Sequence, residues 1–216
     1  MILHHISAYL QTVYRLGNLP PLDRFLIGAE AAQRLAGRTA PLPPDLNELL
    51  LLRQRGAELE VGLYIAPSIL AALAEDDPYT CLHEGNVGPL CIAIEGISHL
   101  CCILWKFLNA VPATQLELEI QAEVDKFICC ATILREQAEG FHLHDQLFAR
   151  YRLVEGITAE QSERYHLASE LAYRFCRQLQ ASYLRSHRLA ALHRSLQTFY
   201  RLSPWGKLRA MSGAFI

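Results

Sequence analysis

The chain has 216 residues, 51% apolar and 19% charged, with 20 Lys and Arg against 22 Asp and Glu and a formal net charge of −2. That length supports one substantial core, the apolar share excludes an intrinsically disordered chain, and the net charge points to no partner. The charge is unevenly placed, however. Residues up to Glu139 carry 9 Lys and Arg against 17 Asp and Glu, and the remainder carry 11 against 5. Two oppositely charged parts that pack together would account for this, as would an anionic partner for the C-terminal part.

In chain order, Ile2 to Leu16 reads as a helix with Ile6, Leu10, Val13 and Tyr14 on one face, stopped by Gly17-Asn18. Leu22 to Leu35 repeats the pattern and ends at Gly37. Ala40–Pro44 is a rigid link that sets off residues 1–40 as an N-terminal helical subdomain packed on the rest, too short for a core of its own. Asp45 to Arg55 reads as a short helix with an Asp cap. From Glu58 to Ile65 the period changes to two, with Leu59, Val61, Leu63 and Ile65 alternating with Glu58, Glu60, Gly62 and Tyr64, as in a half-buried strand. No second strand of equal quality is legible. Its partner is therefore expected to be the C-terminal tail or the same residues, 58–65, of another copy in a homo-oligomer, unless the stretch is an extended loop that pairs with nothing.

Pro67 to Glu75 is a short helix opened by proline. Two long patterns follow and dominate the chain. The first, Pro89 to Leu108, is almost wholly apolar apart from a stripe of Glu95, Ser98, His99, Cys102 and Lys106. Those polar groups also interrupt the only run approaching the ~18–20 residues of a membrane span, so no span is expected. The second, Thr114 to Gln137, has an apolar face of Leu116, Ile120, Val124, Phe127, Ala131 and Leu134. Glu123 falls inside that face and Glu119 on its flank, while Glu117, Gln121, Asp125 and Arg135 are assigned to solvent. Further on, Phe141 to Tyr151 reads as helical, Thr158-Ala159-Glu160-Gln161 is a capping box opening a helix to about Leu184, and Ser186 to Tyr200 is a last helix. The tail from Ser203 carries little pattern.

The expected fold is mainly α: a single-domain bundle of about seven to nine helices, residues 1–216, with at most one minor β element. Seven cysteines in odd number, without a C-x-x-C spacing and set in apolar helices, fit reduced core thiols in a cytoplasmic protein. The N-terminus lacks the pattern of a signal peptide. No nucleophile elbow, phosphate-binding loop, dinucleotide fingerprint or H-E-x-x-H motif is present, and no nucleic-acid-binding signature accompanies the arginines of the last helices.

What remains is a set of charged groups on the two long helices. Glu95 and His99 are four apart and share a face, as do Glu119 and Glu123. A carboxylate inside an apolar face must be paired, metal-bound or neutralised. Glu95, His99, Glu119 and Glu123 are therefore the candidate ligand-binding residues. Glu95, His99 and Glu123 are the candidate ligands of a divalent transition metal, since one imidazole with carboxylates suits Fe, Mn or Zn. The alternative is an interaction or regulatory protein whose buried acids pair internally with Lys106, Lys126 or a late arginine. His166 and Glu170 have ligand spacing too, but they lie with Arg174 and Arg177, away from the apolar face of their helix.

Overall fold

The computed structural model describes residues 2–37, 39–56, 58–137, 143, 147–148 and 158–212. The elements are α1 (Ile2–Tyr14), α2 (Ala29–Leu35), β1 (Glu48–Arg55), β2 (Glu58–Ile65), α3 (Pro67–Glu75), α4 (Val87–Leu108), α5 (Gln115–Gln137), α6 (Ala159–Leu179), α7 (Leu189–Arg201) and α8 (Pro204–Met211). Eight helices and a two-stranded antiparallel sheet among the described residues make this a mainly α fold with a minor β element. The helix expected over 141–151 lies largely outside the described residues.

α4 and α5 form a hairpin at the centre, with α1 and the sheet packed on α4 and α6 packed on α5. One continuous cluster of buried apolar side chains runs from Leu3 through Ile94 and Phe127 to Met211. α4 is the one described helix long and apolar enough to cross a membrane, and 72% of its most apolar window is buried in the bundle, as a core helix requires.

The strand 58–65 finds its partner within its own chain, which corrects two expectations. Residues 48–55 are a strand and not a helix, and β1 and β2 pair in a hairpin from Glu48↔Ile65 to Arg55↔Glu58. The other edge of β2 is met by the stretch before α2: Ile27 N–H donates to the Leu63 carbonyl at 3.0 Å and Leu63 N–H to the Phe25 carbonyl at 2.7 Å. This pairing explains why the helix expected over Leu22–Leu35 is broken into a 3-10 turn (Leu22–Arg24) and α2. The backbone between them serves a sheet edge that would otherwise be unpaired.

Because side chains alternate along a strand, the two faces of the hairpin meet different helices. On one face Gly62 lies so close to Ile27 that a Cβ would come within 2.6 Å of its Cδ1. On the other face Leu63 and Glu48 press on α4 at Gly96, where a Cβ would stand 2.9 Å from Glu48 Cγ and 3.0 Å from Leu63 Cδ1. Gly96 thus lets the sheet approach α4 and brings Glu48 up against the helix.

Candidate metal and ligand site

Three elements bring charged side chains together around α4 and α5. β1 supplies Glu48, α4 supplies Glu95 and His99, and α5 supplies Glu119, Glu123 and Lys126. On α5 these three positions fall on one side at ~100° per residue. Lys126 Nζ lies 2.6 Å from Glu95 Oε2 and 2.8 Å from Glu123 Oε1, and so ties the two helices together. His99 is wedged between two further acids, with Nδ1 4.0 Å from Glu48 Oε1 and Nε2 3.7 Å from Glu119 Oε2.

Those last two separations are too long for hydrogen bonds. Glu48 Oε1 and His99 Nε2 are buried with no hydrogen-bond partner among the described residues. Together with Glu95 they form a group whose ligand atoms all lie within 4.8 Å of one another, a buried arrangement that could hold a metal ion. Lys126 engages Glu95 Oε2, so Oε1 is the oxygen left for another partner.

The electrostatics follow from burial and from Lys126. Burial, with the charges of Glu95 and Glu119 adding, pushes the Glu48 carboxyl up to about 8 against the pull of Lys126. Burial and Glu95 push Glu119 likewise to about 8, opposed by Lys126 and Arg164. Burial would raise Glu95 too, but the Lys126 charge, His99 and the Lys126 hydrogen bond outweigh it and hold this carboxyl below its ordinary value. Burial lowers His99, with Glu95 opposing. Burial disfavours the Lys126 cation, and Glu123 and Glu95 more than compensate, so its pKa lies well above the usual lysine range. At neutral pH the site therefore contains a Glu95–Lys126 ion pair beside protonated Glu48 and Glu119 and a neutral imidazole.

The sequence-predicted residues thus divide. Glu95 and His99 converge with Glu48, Glu119 lies beside His99 at 3.7 Å without belonging to that group, and Glu123 is buried and engaged by Lys126. Glu48 was not among the predicted ligands, because residues 45–55 read as a helix and a strand contact to α4 leaves no periodic signal. His166 is exposed, and Glu170 pairs on the surface with Arg174 at 2.5 Å; neither belongs to the convergent group. The seven cysteines are free. The Cys102 thiol is pushed up to about 11 by burial, and Cys130 is raised by its hydrogen bond with Cys91 and by burial, so neither is poised as a thiolate ligand.

The opposite side of α5 carries a second polar cluster, and here the solvent assignments of Glu117, Gln121 and Asp125 are overturned. All three are at most 2% exposed, and every residue from Ile120 to Cys130 is buried. Asp125 accepts from Tyr14 Oη, from Ser98 Oγ at 2.6 Å and from Gln121 Nε2 at 2.9 Å. Glu117 is clamped between Lys106 Nζ at 2.8 Å and Lys207 Nζ at 3.2 Å, and Lys207 also donates to Gln121 Oε1 at 3.0 Å. Lys207 comes from α8, in the tail that carried little pattern. Ser203 caps that helix by accepting from Gly206 N–H, and Pro204 opens it. A helix enclosed by α1, α4 and α6 has no solvent side, so its polar residues must find partners in the core.

The fold and site together define a helical protein with a buried carboxylate–imidazole group on its central hairpin. Compared with known proteins, the chain matches no family model, no curated protein and no solved structure.

Proposed function

We propose that this protein binds a divalent transition metal at Glu48, Glu95 and His99, with Glu119 completing the donor set. The observation that carries this reading is the geometry of unmet donors and acceptors. Glu48 Oε1 and His99 Nε2 are buried without hydrogen bonds, and with Glu95 they converge to within 4.8 Å. A buried polar atom without a partner is costly, and native proteins rarely keep one that serves nothing. Ligands of one ion at ~2.0–2.2 Å stand ~3–4 Å apart, so a small carboxylate rotation closes the group. One nitrogen and two or three oxygens suit Zn, Mn or Fe. Such ligands bind deprotonated, so uptake competes with the protons on Glu48 and Glu119 and strengthens as pH rises.

Lys126 supports a second reading, since it already supplies a cation to Glu95 and Glu123. On that reading the acids are structural and the protein works through its surfaces. Elemental analysis of untagged protein purified without chelator, then equilibrium dialysis against Zn and Mn, separates the two. Near-stoichiometric metal is expected in the wild type and in Glu123→Gln, with loss of at least tenfold in affinity for Glu48→Gln and His99→Asn. No metal in the wild type, or equal metal in all four proteins, would establish the structural reading. Circular dichroism on each variant confirms that the fold is intact.

A further inference from the structure

A cavity elsewhere in the molecule shares no lining residue with the site above. It has a volume of about 520 Å³ and lies between the end of α6, α7 and α8. That size falls within the ~300–1,000 Å³ of small-molecule pockets. Its apolar wall includes Phe175 and Phe199, stacked at 4.4 Å between centroids, together with Tyr183. Arg188, Arg194 and Ser195, with Gln178 and Thr198, supply the polar wall, and no acidic residue lines it among the described residues.

Three features make this concavity selective for an anion. From Leu171 to Ser212, the stretch that supplies the lining residues, the chain carries eight Lys and Arg and no Asp or Glu. Lys207 points inward to Glu117, a carboxylate it shares with Lys106, whereas neither Arg188 nor Arg194 has an ion-pair partner among the described residues. Arg188 lies over the Tyr183 ring, 5.9 Å from its centroid, a stacking that orients a guanidinium without consuming its charge. The wall itself is built by an irregularity. α6 passes into a π-helical turn, Gln180–Leu184, which carries Tyr183, and His187 follows with φ +53°. π-turns inside helices occur frequently at functional sites.

We infer that this cavity is a binding site for a small organic anion, its carboxylate, sulfonate or phosphate group held by Arg188 and Arg194 and its apolar body laid against Phe175, Tyr183 and Phe199. A planar guanidinium pair recognises an oxyanion through charge-assisted hydrogen bonds, and the aromatic wall rejects an anion with no apolar part. The two contributions are separable with a matched pair of fluorescent probes. Anilinonaphthalene sulfonate carries both an anion and an aromatic body, and N-phenyl-1-naphthylamine has the body alone. We expect saturable binding of the sulfonate near one per chain, at least tenfold tighter than the neutral probe, weakened by salt and displaced by laurate but not by inorganic phosphate. Arg188→Gln/Arg194→Gln should weaken the sulfonate at least tenfold and leave the neutral probe unchanged. Both arginines are exposed, so the double variant should keep the wild-type unfolding midpoint. Sulfonate affinity unchanged in the double variant, neutral probe bound as tightly as the sulfonate, or no saturable binding would each overturn the assignment.

Discussion

Lys126 offers the most informative perturbation. Its side chain is 11% exposed, and those of Glu95 and Glu123 are 25% and 9% exposed. Replacing it with methionine keeps the length and removes the cation, leaving two carboxylates in the interior. Breaking a buried pair from one side costs about 3–5 kcal/mol. For a chain of this size each kcal/mol lowers the unfolding midpoint by about 2–4 °C, so Lys126→Met should melt roughly 6–20 °C below the wild type. The upper end requires both acids to stay ionised, and proton uptake brings the cost down. A divalent ion would replace the missing charge. At a hundred times its dissociation constant it returns about 2.7 kcal/mol, or roughly 5–11 °C. Lys207→Met is the control, because Lys207 is 1% exposed and pairs with Glu117 on the far side of α5. It should cost less, because Lys106 still holds Glu117 at 2.8 Å, and should recover nothing beyond the gain of the wild type when metal is added. Differential scanning fluorimetry of the three proteins, with and without Zn or Mn, gives the comparison. A fall under about 2 °C in Lys126→Met would refute the ion-pair energetics, and equal recovery of both variants would refute the placement of the metal beside Lys126.

Gly96→Ala should push Glu48 and Leu63 away from α4, cost about 1–3 kcal/mol as a small-to-large change in a packed contact, and weaken metal uptake beyond what the stability loss explains; unchanged uptake in dialysis would show that Glu48 is not a ligand. Asp125 is pushed up to about 6 by burial, outweighing its hydrogen bonds from Ser98, Tyr14 and Gln121. A carboxyl raised above its unfolded value of ~3.9 holds more protons in the folded state, so its contribution to stability falls as pH rises from below 4 through 6. The stability advantage of the wild type over Asp125→Asn should therefore shrink between pH 4 and 7; an advantage that grows over that range would contradict the shift.

The helices were legible where one side of each met the core and the other met solvent. α1, α3 and α7 follow their apolar periodicity, and the capping box of α6 forms at Thr158 and Gln161 as the sequence implies. β1 was not legible, because Leu49–Leu52 is an unbroken leucine run. Leu49–Leu51 are half-buried on both faces and only Leu52 is exposed, since α2 lies against one face of the hairpin and α4 against the other. A strand covered on both faces loses its alternation and becomes indistinguishable from a short buried helix. α8 was missed for a different reason. It is short, and the residue that fixes it is a lysine, which a hydrophobic pattern counts as surface.

The same reasoning explains which part of the site could be seen. Glu95 and His99 were conspicuous because α4 is otherwise apolar, so a charge on it breaks the pattern. α5 misled because the wheel presumes one wet side, whereas from Ile120 to Cys130 this helix is dry all round, and of the four solvent assignments only Arg135, near its end, is exposed. One side presents Glu119, Glu123 and Lys126 to α4 and β1, and the other presents Glu117, Gln121 and Asp125 to α1, α4 and α8. The two sides differ in what they leave unmet. On the Asp125 side the Asp125 oxygens accept from Tyr14, Ser98 and Gln121, and the two Glu117 oxygens, although they make no hydrogen bond, each face an ammonium within 3.2 Å. On the Glu119 side Glu48 Oε1 and His99 Nε2 remain without a hydrogen bond. Buried charge alone therefore does not mark the functional side of α5, since both sides have it. What discriminates the sides is a set of unmet atoms with no ammonium against them among the described residues, which depends on Glu48 arriving from a hairpin some fifty residues upstream of α4's acid and imidazole, and that no periodicity within a single helix can encode.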